Sequence, residues 1–155
     1  MTFPDDGFWN SRTSLREIKD YAVSRLVSPD AVLAVTLCRI IAATPPHVVL
    51  PPTIGSDYGS LNFGVVILGN PGPGKDAAFG AAKALVPDIR DAPVTSVASG
   101  QAISALFGQR VQEDGRFRLE CKSPRAMLRY SEASNFRALS SARENNLQPE
   151  VLSLF

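Results

Sequence analysis

The chain has 155 residues, enough for one domain or part of a larger one, and an apolar share of 45% that can fill a real core. Its 16 basic and 15 acidic side chains leave a formal charge of +1, so charge balance makes no general case for a nucleic-acid or membrane-surface protein. Its 2 cysteines, Cys38 and Cys121, stand far apart and match no metal-ligand spacing; reduced thiols in the cytoplasm are the simplest expectation.

The first residues are polar and acidic and do not read as a secretory leader. Phe3, Phe8 and Trp9 are candidates for docking on a core. From 14 to 27 the apolar positions Leu15, Ile18, Ala22 and Leu26 recur at helical spacing, with Arg16, Glu17, Lys19 and Asp20 on the other face. Ser28 and Pro29 then form a helix start, cap followed by a first-turn proline. The helix they open runs to about Ala43 and is apolar nearly all round, so burial is expected. Its apolar run is too short to span a bilayer, and Arg39 interrupts it. Pro45 and Pro46 stop it.

Residues 47–50 read as a short strand and 53–62 as a loop. His47, the 1 histidine of the chain, sits beside an apolar run with no nucleophile near it, which favours a structural role. Residues 63–68 form an apolar run that reads as a buried strand. They lead into Gly69, Asn70, Pro71, Gly72, Pro73, Gly74, Lys75, Asp76 and Ala77, and an alanine-rich helix is expected from there to Val86. Strand, glycine-rich loop and helix in that order, with glycine, four residues and Gly-Lys, is the spacing of a phosphate-binding P-loop. Glycines let backbone N–H groups curl around an anion, and the helix turns its positive end to the same place. Lys75 adds a charge able to reach the outer phosphates of ATP. The next position usually holds Ser or Thr for Mg²⁺ and is Asp76 here. Two readings stand: a carboxylate ligand to Mg²⁺, or a helix-start acid that suits the dipole but repels a triphosphate. A plain glycine-rich turn is the bland alternative. Alanines and Gly80 on the following helix suggest close packing against a sheet.

A second strand is expected over 93–98, running into Ser99, Gly100 and Gln101 and a short helix over 101–109. Ser99 and Gln101 are candidate crevice residues, with a simple N-cap role for Ser99 as the alternative. Glu113, Asp114 and Gly115 form a turn. Phe117, Leu119 and Cys121 alternate with Arg116, Arg118 and Glu120 as in a half-exposed strand, which is expected to pair antiparallel with the next one. That next strand covers 126–132 and ends in Glu132, the candidate for holding Mg²⁺ and orienting an attacking water. A solvated helix-start acid is its alternative, and Glu120 is a poorer candidate because it lies mid-strand. The arginines from Arg110 to Arg143 are interspersed with acids, which reads as a salt-laced surface. Helices follow over 133–145 and from 148, and the apolar end at Leu152, Leu154 and Phe155 carries no stop signal, so a chain cut short is expected. Alternating strands and helices predict a three-layer α/β sandwich, with residues 1–50 as an N-terminal helical pair packing on a core of 51–155.

Taken in order, the apolar helix before two prolines, Leu50-Pro51-Pro52, Ser60-Leu61-Asn62, Gly69 to Lys75, Ser99-Gly100-Gln101 and Ser131-Glu132 resemble the DUF3987-type P-loop ATPases of phages and actinobacteria, which are primase-associated and helicase-like. The resemblance spans Ser28 to the end. It departs at Gln101, where that family tends to have Glu, and at Asp76, where a small residue is expected. It implies a RecA-like ATPase core in mobile-element DNA replication, with Gly69 to Lys75 on the phosphates of ATP and Glu132 serving Mg²⁺ and water. It further implies DNA contacted through a larger assembly, compatibility with a homo-oligomer, and no membrane. A non-catalytic P-loop interaction module and a small nucleotide kinase are the competing readings. The kinase reading lacks a clear arginine-rich lid.

Overall fold

The computed structural model describes residues 6–53, 57–69, 74–89, 92–97 and 99–130. The elements are α1 (Asp6–Asn10), α2 (Thr13–Ser24), α3 (Pro29–Ala43), α4 (Gly74–Leu85), β1 (Val94–Thr95), α5 (Gly100–Phe107), β2 (Gly108–Glu113), β3 (Arg116–Cys121) and β4 (Met127–Leu128). Two compact units result, Met1–Ile40 with Phe63–Asp88 and Ile41–Asn62 with Ile89–Phe155, so the boundary expected at residue 50 is not where the contacts divide.

The first unit is helical. Ala22 of α2, Val32 of α3 and Ala78 and Ala81 of α4 share one buried cluster with Val27, and Ile18, Tyr21, Ala31 and Leu85 pack around it. The spacing of Ala78, Ala81, Ala82 and Leu85 lays small side chains along one face of α4, which lets helices approach closely. The alanine face therefore packs on helices, not on the expected sheet. Gly80 lies off that face in open space, with no atom within 4 Å of an added Cβ.

Helix α2 ends in a paired C-terminal motif: the Val27 amide donates to Ala22 O and the Leu26 amide to Val23 O, both at 3.0 Å. That motif puts Leu26 in the left-handed region (φ 55°), a position glycine usually fills. The Ser28 hydroxyl accepts from the Ala31 amide at 3.4 Å and Pro29 is buried in the first turn, as the start signal implies. Trp9 of α1 is buried against the unit, with the Phe8 ring edge-on to it at 5.2 Å.

Helix α3 is less buried than its composition suggests. Val32, Val35, Thr36, Arg39 and Ala42 are buried, while Leu37 and Ile40 stay exposed. Arg39 does the unexpected work. It is 2% exposed, and its guanidinium donates from Nε to Val86 O at 2.7 Å and from Nη2 to Pro87 O at 3.2 Å. These carbonyls lie just past the last turn of α4, where helix ends leave acceptors without partners. Burial pulls the Arg39 pKa below its ordinary value.

The apolar run over 63–68 departs from expectation. It forms no ladder with any described strand, and Val66 and Leu68 are 76% and 88% exposed. Strand propensity describes fit to a pleated, half-covered surface, and propensity without a neighbouring strand makes no ladder.

In the second unit, β1 and β4 pair in parallel, Val94 opposite Met127 and Thr95 opposite Leu128. Ile103 of α5 packs with Val97, Leu128 and Tyr130, and the Tyr130 hydroxyl donates to Val97 O at 2.8 Å. The strand around Phe117 pairs with β2 before it, not with the strand after it. The reason is local: Asp114 (φ 49°) and Gly115 (φ 74°) form a two-residue left-handed turn that folds β3 directly back on β2. The helix expected to reach 109 gives way to β2 at Gly108. The strand expected over 47–50 reduces to one bridge, Leu50 to Gly59. The Arg125 guanidinium donates to Ala43 O, and Ser123 Oγ donates to Arg125 O at 2.6 Å. Among the described residues no helix is long and apolar enough to cross a membrane.

Candidate functional site

The P-loop candidate straddles Gly69 and Gly74, and the residues between them lie outside the described ones. Gly74 opens α4, and Lys75, Asp76 and Ala77 complete its first turn. The motif therefore meets a helix N-terminus where its chemistry requires one, with an acid in the first turn that suits the helix dipole. Among the described residues, no atom lies within 4 Å of a Cβ added at Gly69 or Gly74.

Lys75 is half-buried, and its Nζ donates to Gly69 O at 3.4 Å. The ammonium group thus returns from the helix to the residue where the loop begins. A contact at that length is weak, and a charged oxygen would displace the carbonyl with little penalty. Helix dipole and ammonium sit on one short segment and favour the same kind of guest, an anion of several oxygens. Arg39 fixes the opposite end of this helix, which holds its first turn on a supported element.

Asp76 is exposed on that turn. Glu132, expected to share a metal ion with Asp76, lies outside the described residues, as does the candidate helix over 133–145. Among the described residues no three His, Cys, Asp or Glu side chains converge. A carboxylate oxygen is a suitable hard donor for Mg²⁺, so the chemistry of Asp76 fits that ion.

The remaining candidates fall elsewhere. Ser99 is the N-cap of α5, and its hydroxyl accepts from the Ala102 amide at 3.3 Å. Gln101 is exposed in the first turn of α5. Glu120 is paired with Arg118 on β3. His47 is exposed in a turn after the Pro45-Pro46 stop. Sequence patterning missed Arg39, Arg125 and Tyr130, whose roles depend on carbonyls far along the chain. Burial raises the Tyr130 and Cys38 pKa values, so neither supplies an anion at neutral pH.

Comparisons with models of known protein families, with characterised proteins and with solved structures returned no match.

Proposed function

We propose that the segment from Gly69 to Ala77 binds the phosphates of a nucleotide, ATP above all. On this reading the chain carries a three-layer, RecA-like P-loop core of a replication-associated, helicase- or primase-type ATPase from a phage or other mobile element. The observation that carries the binding claim is the Lys75 ammonium turned back on Gly69 O from the first turn of α4. Gly-x-x-x-x-Gly-Lys spacing and a helix N-terminus meet at that point, and both are phosphate-binding devices. The assignment to replication rests on the order of motifs along the chain.

Backbone amides and the α4 dipole hold the phosphate oxygens, and Lys75 neutralises charge on the outer ones. Hydrolysis on this scheme is in-line attack of water on the γ-phosphate, with Glu132 orienting that water and an arginine from a neighbouring subunit completing the charge balance. Asp76 and Glu132 are the residues that would hold Mg²⁺, which supplies charge neutralisation between the outer phosphates.

A second reading, a P-loop module that binds nucleotide or a partner without hydrolysis, is favoured by Asp76 standing where a hydroxyl usually does. Titration of ATP and ADP with and without Mg²⁺, followed by a phosphate-release assay, separates the two. Mg²⁺-dependent binding with steady phosphate release supports the ATPase. Binding without release supports the module. Label transfer to a nucleoside acceptor would replace both with a kinase.

A further inference from the structure

From 69 to 77 the charged side chains are Lys75 and Asp76, side by side in the first turn of α4. Their formal charges cancel. What remains there to attract an anion is the helix dipole, worth about half a positive charge. A neutral hydroxyl at position 76 would leave the lysine uncancelled and bring the total to about one and a half charges. The side chains also differ in exposure. Lys75 is half-buried and its Nζ donates to Gly69 O at 3.4 Å, whereas Asp76 is exposed. The cation is drawn back to the start of the loop, and the acid stands in water at the helix start.

A metal-free triphosphate carries several negative charges and meets that carboxylate. Like charges about 4 Å apart shift an equilibrium by about fivefold in bulk water, and by much more where water is thinned out. The same carboxylate oxygens are hard donors, of the kind that Mg²⁺ takes together with phosphate oxygens. One or two carboxylates are too few ligands to hold Mg²⁺ unaided. We propose that Asp76 makes this helix start selective for the metal complex of a nucleotide: free nucleotide is turned away, free Mg²⁺ is not retained, and each is bound because the other is. This selection rests on the nucleotide reading of the loop, and Asp76 is the residue that sets it. By linkage, the factor by which Mg²⁺ strengthens nucleotide binding equals the factor by which nucleotide strengthens Mg²⁺ binding.

The test is isothermal titration calorimetry of the full chain, with ATP added in excess Mg²⁺ and in excess EDTA, to the parent, Asp76→Asn and Asp76→Ser. The parent is expected to bind ATP about tenfold or more tightly with Mg²⁺ than in EDTA, and Mg²⁺ alone to give no saturable heat. Both variants are expected to bind metal-free ATP about five- to tenfold more tightly than the parent, so that the gap between the two buffers narrows. A carboxylate that only supports the helix would give a lower melting temperature on substitution and no gain in EDTA. Asp76 is exposed, so both variants are expected to fold as the parent does, checked by circular dichroism. Equal binding by the parent with and without metal, or variants with no gain in EDTA, overturns the inference and leaves the phosphate site standing. Silence of parent and variants alike in both buffers removes the phosphate site itself, and selection by Asp76 with it.

Discussion

Helices α5 and α4 begin differently, and the contrast bears on which of them can take a guest. Helix α5 starts with its own acceptor: Ser99 Oγ receives the Ala102 amide, so a side chain of the protein occupies the positive end. Helix α4 also opens on a glycine, Gly74, the residues just before it lie outside the described ones, and no described atom comes within 4 Å of a Cβ added there or at Gly69. Its first turn adds a lysine whose ammonium leans back to the loop's start. A hydroxyl at a cap spends the amide internally. At the start of α4 the nearby ammonium of Lys75 adds to the helix dipole and makes an anionic acceptor a favourable one.

The comparison would break soonest if α4 needed no anchoring. Arg39→Ala removes the buried guanidinium from Val86 O and Pro87 O, at the partly exposed end of α4, a loss of about 1.5 to 3 kcal/mol for hydrogen bonds to a charged donor. Urea unfolding should show that loss, and nucleotide affinity should fall along with it. Full stability in this variant would mean α4 is held by other contacts.

Ser99→Ala sharpens the contrast from the other side. Losing the cap costs about 1 kcal/mol, read as a lower urea midpoint. Nucleotide affinity should not change; a drop would place Ser99 in the phosphate site after all. Gly80→Ala should raise stability by about 0.5 to 1 kcal/mol, because the position is helical, exposed and free of neighbours. A loss on thermal melting would reveal a contact at Gly80 that the alanine displaces.

The smallest effect is alkaline. Burial raises the Tyr130 pKa, so the neutral phenol is favoured in the folded chain. The folded state then holds the proton more tightly than the unfolded one. That stability is fully present below the unfolded value of about 10 and is lost as pH rises through the higher folded value. Melting temperature should decline across that range, and Tyr130→Phe should flatten part of the decline. Cys38, raised for the same reason, leaves a residual slope of the same sign.

The helical half of the fold was legible because its signals are local. Leu15, Ile18 and Ala22 mark α2, and Ser28 with Pro29 starts α3. A helix after the glycine-rich segment was legible as well, since that order of loop and helix is local. Pairing was harder. Residues 63–68 look more like a strand than Val94 and Thr95 do, yet the latter have a ladder partner in β4 and the former have none among the described residues. A strand depends on its neighbour, and the neighbour is not written in the segment itself. Strand β2 was hidden for the same reason: its residues became a strand because Asp114 and Gly115 folded β3 onto them. Arg39 was read as an interruption in an apolar helix, because its acceptors lie 47 and 48 residues further on.

The direct test of the central claim is calorimetric titration of ATP with Mg²⁺ into the parent chain and into Lys75→Ala. Saturable binding by the parent, lost in a variant that melts at the same temperature, is the predicted result. Equal affinity in the two proteins, or no heat from the parent at millimolar nucleotide, would contradict a phosphate site at the start of α4.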